Sequence, residues 1–344
     1  MLSTKLRSAT VKTVAVSKTL AVAHLITPFI SVYPWSVSGF GTKYTNPATL
    51  PTGSGNGVAF SPNGASIAVG HATTPFISVY PWSVSGFGTK YADPATLPTG
   101  DVTRVAFSPN GASIAVSHSI TPFISVYPWS GSAFGTKYSD PATLPTSSGR
   151  SVTFTSNGDT IAVAHAITPF ISVYPWSGSG FGTKYANPAT LPTGTGLDVA
   201  FNPSGTTIAV GHAGGPTLSV YPWSGSGFGT RYADPSPGIT GNGRGVAFSL
   251  DGAVLAVAWG TSPYINVYPW SGSGFGTKYT DPATTPTGQG RGVRFSLGST
   301  TIAVAHDTTP FISVYPWSNG SGFGTKYSDP ATLPTGDGQW AAFA

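Results

Sequence analysis

The tripeptide Tyr-Pro-Trp occurs seven times in this chain at a constant interval of 47 residues, starting at Tyr33, Tyr80, Tyr127, Tyr174, Tyr221, Tyr268 and Tyr315. Self-similarity at a fixed period of about 20–50 residues is typical of solenoids, propellers and repeat arrays. Because repeats of this length account for nearly all of the 344 residues, we expect one closed domain rather than two or three.

Residues 57–100 show the pattern of one repeat. Short alternating or apolar runs predict strands over residues 58–61, 67–71, 76–82 and 87–91, with turn residues such as Ser-Pro-Asn-Gly between them. Bulky side chains occupy both faces of the third strand, so the sheet must be covered on both sides. Blades stacked around an axis meet this requirement. The sequence therefore predicts an all-β, seven-bladed β-propeller of four-stranded blades.

The two ends of the chain predict how the ring closes. The first repeat has no first strand of its own, whereas residues 339–343 repeat that strand at the C-terminus. We therefore expect residues 339–343 to supply the inner strand of the blade formed by residues 18–44, so that the C-terminal strand joins the N-terminal blade. The propeller then covers residues 18–344, and residues 1–17 form an N-terminal arm.

Composition excludes several classes of function. The net charge of +5 comes from 16 Lys and Arg against 11 acidic residues, all of them Asp, which does not indicate nucleic-acid binding. The chain has no Cys, so it has neither a disulfide framework nor thiolate chemistry. Residues 1–18 lack the apolar core of a signal peptide, and no segment is long enough to span a bilayer. These observations predict synthesis in the cytoplasm.

The repeated strands carry a family resemblance over almost the whole chain. Val-Ala-Phe-Ser-Pro-Asn-Gly, Ile-Ala-Val and Phe-Ile-Ser-Val-Tyr follow one another as in the WD-repeat class of β-propeller, which they resemble. The Gly-His and Trp-Asp pairs of that family are absent, since Tyr80 and Pro81 stand where Trp and Asp would be. The resemblance is therefore to a divergent branch, and it implies the propeller fold.

A narrower resemblance concerns function. Ala-Val-Ala-His, Thr-Pro-Phe-Ile-Ser-Val-Tyr and Asp-Pro-Ala-Thr-Leu-Pro-Thr-Gly resemble propeller repeats in structural and tail proteins of tailed bacteriophages. The resemblance implies a non-enzymatic virion structural protein, associated with decoration, tail or fibre, that presents a rigid propeller for attachment or host-surface adhesion. Expected partners are other virion proteins, bound through the arm or one propeller face, and a host-surface glycan or protein. Neither nucleic-acid binding nor membrane insertion is expected.

No residue pattern indicates catalysis, a cofactor or a metal. Catalysis needs unlike groups that converge within hydrogen-bond reach, whereas this chain repeats like groups far apart. All histidines occupy one repeat position, where Trp259 replaces them in the remaining blade: His24, His71, His118, His165, His212 and His306. Equivalent positions on packed sheets are about 10 Å apart, too far to share one ion. Each histidine is expected to bond a local backbone or hydroxyl group, with a pH-sensitive surface as the alternative.

The tryptophans of the Tyr-Pro-Trp tripeptides offer an alternative function. They end the predicted third strands and precede Gly-Ser loops, where exposed rings would bind sugars and make the protein a soluble multivalent lectin. Packing between blades requires the same spacing and is the favoured interpretation. The candidate glycan-binding residues are Trp35, Trp82, Trp129, Trp176, Trp223, Trp270 and Trp317.

Positions at which the repeats differ are the candidates for partner binding. Arginines precede the first strand in four repeats, where one mouth of the channel is expected, and they suit an acidic partner or an anion; solvated loop variation is the alternative. Two aromatic residues also depart from the repeat, and three basic residues lie in the arm. The arm either docks on a partner or is a disordered end. These candidates are Arg104, Arg150, Arg244, Arg291, Trp259, Tyr264, Lys5, Arg7 and Lys12.

Overall fold

The computed structural model describes residues 18–238 and 241–344, and all regular structure there is β. The strands form seven small antiparallel sheets, as a seven-bladed propeller requires. No helix in the described ranges is long and apolar enough to cross a membrane. The predicted arm, residues 1–17 with Lys5, Arg7 and Lys12, lies outside the described residues.

Each sheet begins with an inner strand of six residues. Numbered along the chain, these strands are β4 (Gly55–Phe60), β8 (Val102–Phe107), β11 (Gly149–Phe154), β14 (Gly196–Phe201), β17 (Gly243–Phe248), β20 (Gly290–Phe295) and β24 (Gly338–Phe343). Each inner strand contacts those of its two neighbours, and the contacts run in cyclic order from β4 through β24 and back to β4. The inner strands therefore surround a common axis.

The second strand of each sheet is buried along its whole length. These strands are β1 (Thr19–His24), β5 (Ser66–His71), β9 (Ser113–His118), β12 (Thr160–His165), β15 (Thr207–His212), β18 (Val254–Trp259) and β21 (Thr301–His306). Their Thr-Ile-Ala-Val-Ala-His type of sequence has small and branched side chains on both faces, because neighbouring sheets cover both faces. β1 pairs with β24, with Ala21 opposite Ala342, so the two ends of the chain share one sheet.

The third strands are β2 (Ile30–Ser36), β6 (Ile77–Ser83), β10 (Ile124–Pro128), β13 (Ile171–Pro175), β16 (Leu218–Pro222), β19 (Ile265–Pro269) and β22 (Ile312–Ser318). Side chains from adjacent sheets meet in seven core clusters; Val126 of one blade, for example, packs with Val163 and Tyr174 of the next. Tyr174 is fully buried, and its hydroxyl donates a hydrogen bond to the carbonyl of Thr143 at 2.8 Å. The core therefore lies between blades.

The outer strands are shorter than the sequence predicted. Only three sheets have a fourth strand, and each has two residues: β3 (Gly39–Phe40), β7 (Gly86–Phe87) and β23 (Gly322–Phe323). In the other four sheets a single bridge, such as Trp176 to Phe181, takes its place. The predicted strand over 87–91 fails because the facing Pro81 has no N–H to donate. The blades therefore have three or four strands rather than four throughout.

Candidate functional site

Every inner strand contains a β-bulge at its second residue. In β11, Gly149 pairs with His165 and Ser151 with Ala164, so Arg150 has no cross-strand partner. The same shift occurs in the other inner strands. A bulge frees one residue from the ladder and redirects its side chain. The bulged residues are Asn56, Thr103, Arg150, Leu197, Arg244, Arg291 and Gln339.

All seven bulged residues line one cavity of about 320 Å³ at the mouth of the channel, which we call the basic mouth; Asp101, Arg104 and Ser119 complete its wall. The structure therefore brings together all four arginines singled out from the sequence. Their location differs from the expectation in one respect. They belong to the inner strands rather than to the loops before them, and Arg104 is the residue after the bulge in β8.

The protein's own carboxylates neutralise the arginines of the basic mouth only in part. Arg291 pairs with Asp307 through Nη2 at 3.1 Å. Burial, and then the neighbouring Arg291, lower the pKa of Arg244. The Nε atoms of Arg104, Arg244 and Arg291 are buried and have no hydrogen-bond partner among the described residues. Buried donors normally have an acceptor, and the guanidinium groups that line this cavity give it a positive lining that suits an anion.

A compact group of side chains forms the floor of the basic mouth. Arg104 donates through Nη1 to the carbonyls of Thr103 and Asn56, at 2.7 and 2.8 Å. Its guanidinium carbon lies 3.8 Å from the ring centre of Trp340, a cation–π contact. Burial lowers the pKa of Arg104 to about 10, so the group stays charged at neutral pH.

A buried carboxylate lies beside this floor. Asp198 is fully buried and accepts hydrogen bonds from the Ser151 hydroxyl at 2.6 Å and the Val246 N–H at 2.8 Å. Its Oδ2 lies 3.9 Å from Nη1 of Arg294. The carboxylate is thus held by the protein, and Asp101, which is exposed at the rim, is the carboxylate that faces the cavity.

Four residues of this region were not predicted from the sequence: Asp101, Asp198, Trp340 and Arg294. Asp198 and Trp340 occupy the repeat position of Arg104, where three other blades have Gly. Arg294 stands where the other blades have Ala or Thr. These departures from the repeat were the available signal, but only the alignment of the inner strands shows that they meet at the axis.

The histidines are structural in this fold. All six are fully buried, and in each blade Nε2 lies 3.0–3.1 Å from a third-strand serine hydroxyl, as between His165 and Ser172. This is the hydroxyl partner that the sequence favoured. Burial lowers the pKa of every one of them to about 4, so they are neutral at pH 7. Within residues 18–238 and 241–344, no three His or Asp side chains cluster as a metal site would require.

The seven candidate glycan-binding tryptophans are buried, with 3–7% of each side chain exposed. Trp176 shows the arrangement, because its ring makes edge contacts with Tyr138 of the preceding blade and with Phe154 and Phe181 of its own. Rings held in this way present no face to a sugar. The lectin alternative is therefore wrong, and packing between blades explains the repeat.

The remaining candidates do not line the basic mouth. Trp259 is buried and pairs with Gly243, next to the bulged Arg244. Tyr264 lies in the turn before β19, with a φ of 68°. Neither residue is part of the cavity wall, so the structure does not unite them with the four arginines.

Comparison with known proteins identifies the fold. No protein-family model and no curated protein matches the chain. A structure from Bacteroides uniformis named "putative 6-phosphogluconolactonase" has a TM-score of 0.73 at 13% identity, covering 96% of this chain and 100% of its own. A structure of the same name from Bacteroides fragilis has a TM-score of 0.70 at 13% identity, with coverages of 97% and 99%. The periplasmic gluconolactonase of Pseudomonas aeruginosa has a TM-score of 0.71 at 15% identity, with coverages of 95% and 99%.

These similarities support a β-propeller, but neither the WD-repeat nor the phage resemblance. They contradict the predictions of a virion structural protein and of a non-enzymatic role, because the similar structures bear the names of enzymes. Both predictions were wrong for the same physical reason. A propeller scaffold does not specify a function, and groups that meet at its axis come from separate blades and leave no local catalytic motif.

Proposed function

We propose that this protein is a hydrolase that opens the lactone ring of a phosphorylated sugar acid in the basic mouth. One observation carries the proposal: four arginines from four blades line one cavity, and Asp101 is the single carboxylate among the residues that line it. The names of the similar propellers, which are lactonases, support this reaction class.

The basic mouth is suited to bind the phosphate. Guanidinium groups bind phosphate through paired N–H donors, with charge assistance. Arg244 and Arg291 lie on adjacent blades, and the charge of Arg291 helps to lower the pKa of Arg244, so an anion between them would offset that repulsion. A cavity of about 320 Å³ is at the lower end of the range for small-molecule sites. The ligand is therefore small.

The chemistry requires a base and a stabiliser of negative charge. A water molecule adds to the lactone carbonyl carbon, and the bond from that carbon to the ring oxygen breaks. In this proposal the Asp101 carboxylate accepts the proton from water and returns it to the ring oxygen, so that a hydroxyl and a carboxylic acid form. The positive charge of the Arg104 guanidinium on the floor of the cavity stabilises the negative charge that develops on the carbonyl oxygen.

The test is a pH-stat assay at pH 7 with 6-phosphogluconolactone and with gluconolactone, each corrected for spontaneous hydrolysis. We expect the protein to accelerate opening of the phosphorylated lactone. Arg150→Ser should raise the KM for that substrate about tenfold or more, because it removes a charged phosphate contact, and should change the KM for gluconolactone much less. Lys137→Ser, which removes an equal charge at the outer edge, is the matched control.

Two results would reject the proposal. The first is hydrolysis of the phosphorylated lactone no faster than in buffer. The second is acceleration that Arg150→Ser and Lys137→Ser affect equally, since the basic mouth would then play no part.

We also infer that the pairing of β24 with β1 keeps the propeller ring closed. The antiparallel register between the two strands supports this, with Leu20 opposite Phe343 and Val22 opposite Ala341. The rigidity of the basic mouth depends on this closure, because Gln339 and Trp340 belong to β24.

A further inference from the structure

The channel has a second cavity, of about 290 Å³, at the end opposite the basic mouth; we call it the apolar mouth. Its walls come from the last residues of the inner strands, including the half-buried rings of Phe60, Phe107, Phe295 and Phe343. Its polar floor consists of Arg294 and Arg104 beside Trp340. The side chains at this end of the channel are thus mainly apolar, whereas arginines are numerous at the basic mouth.

Arg294 is a departure from an otherwise apolar repeat position. The same position holds Ala or Thr in every other blade, namely Ala59, Ala106, Thr153, Ala200, Ala247 and Ala342. In a chain whose repeats are so alike, a single long cation in the channel is not required by the fold, because six blades form without it. Its presence therefore needs an explanation of its own.

The contacts of Arg294 hold its side chain in place without using all of its hydrogen-bond donors. Nη1 donates to the carbonyls of Val293 and Val246, at 2.8 and 3.1 Å. The guanidinium carbon lies 3.9 Å from the ring centre of Trp340. Within the described part of the chain, its hydrogen bonds all leave from Nη1, and 29% of the side chain remains exposed. A positioned guanidinium thus retains donors for an acceptor in the cavity.

The surroundings restrict what that acceptor is. A strongly hydrated dianion such as phosphate is disfavoured here, because apolar side chains form most of the wall and the positive charge of Arg294 is already partly balanced by Asp198. A monoanionic carboxylate matches the fork of an arginine, and an apolar group attached to it would occupy the space between the phenylalanine rings. The volume of about 290 Å³ limits the ligand to a small molecule.

We propose that the apolar mouth is a second ligand site, which binds a small carboxylate with an aromatic or branched apolar tail. The carboxylate pairs with Arg294, and the tail packs among the phenylalanine rings. This site depends on Arg294, which does not line the basic mouth, although Arg104 borders both cavities.

Isothermal titration calorimetry with 2-naphthoate tests the proposal, with 2-naphthamide as the uncharged probe of equal shape. We expect 2-naphthoate to bind and 2-naphthamide to bind at least about tenfold more weakly. Arg294→Ala, which restores the residue found in most blades, should weaken 2-naphthoate by a similar factor. Ala106→Leu, which fills the cavity and keeps the charge, should also weaken it. Lys137→Ser should leave the affinity unchanged.

Several outcomes would overturn the proposal. They are no binding of 2-naphthoate at millimolar concentration, equal binding of the amide, or full affinity in both Arg294→Ala and Ala106→Leu. Loss of affinity in Arg150→Ser but not in Arg294→Ala would place the carboxylate in the basic mouth and overturn it equally. Thermal melts establish that each variant is folded. If Arg294→Ala does not fold, Ala106→Leu still tests the proposal.

Discussion

Acidification is expected to unfold this protein through its six buried histidines. Burial lowers their pKa from 6.5 to about 4, so the unfolded chain binds more protons than the folded one between these values. Stability is therefore fully present above pH 6.5 and falls as the pH drops towards 4. At pH 5 the loss is ~2 kcal/mol per histidine by this linkage. Six independent sites give ~12 kcal/mol, comparable with the ~5–15 kcal/mol that stabilises a typical domain.

The assay is urea unfolding followed by tryptophan fluorescence at intervals between pH 7 and pH 5, a range in which ordinary aspartates stay ionised. We expect the unfolding midpoint to fall steeply with pH. His165→Gln removes one titrating ring and should reduce the pH 7 to pH 5 loss by ~2 kcal/mol. Ser172→Ala is the matched control, because it removes the hydroxyl partner but leaves the ring to titrate. A midpoint that is the same at pH 7 and pH 5 would refute the reasoning.

Two further predictions concern the blades. Deleting residues 339–344 removes all of β24 except Gly338. The thermal midpoint in calorimetry should fall by about 10 °C or more, because each kcal/mol of lost stability lowers the midpoint of a large domain by roughly 2–4 °C. An unchanged midpoint would contradict closure of the ring by β24. Tyr174→Phe should cost about 1 kcal/mol in urea unfolding, because it leaves the Thr143 carbonyl without its buried donor. Tyr138→Phe, whose hydroxyl bonds an exposed carbonyl, should cost less.

The fold was predictable because a strict period fixes the number of units and the order of strands in each. The number of strands in each blade was not predictable. Tyr-Pro-Trp was the clearest signal of the repeat, yet its proline is also the residue that interrupts pairing with the outer strand, as Pro81 does opposite residues 87–91. A local pattern of alternation cannot show a missing donor on the facing strand.

The candidate site was predictable only in part. Four arginines could be selected because they differ between repeats, but the bulge that redirects Arg150 follows from the register of paired strands. Arg104 and Trp340 are more than 200 residues apart in the sequence, and their contact depends on ring geometry. Trp259 was equally hard to interpret, since it takes the place of a histidine in a blade where Asn266 replaces the serine partner.

The tryptophans show the opposite case, in which one spacing allowed two interpretations. A ring at the end of a strand before a Gly-Ser loop suits a sugar platform as well as a buried contact. Burial of Trp176 between two blades decides between them, and no sequence pattern gives the position of the neighbouring blade.

The bulges have a consequence for how such a protein can be altered. A bulged residue has no cross-strand backbone partner, so its side chain stands outside the alternation of the strand, and seven such positions encircle one opening. Substitution is least disruptive where the bulged side chain bonds nothing, as at Leu197, whereas the side chains of Asn56 and Thr103 donate to backbone carbonyls of neighbouring blades. The selectivity of the opening can thus change through substitution of side chains that come from seven separate strands, while the scaffold stays the same.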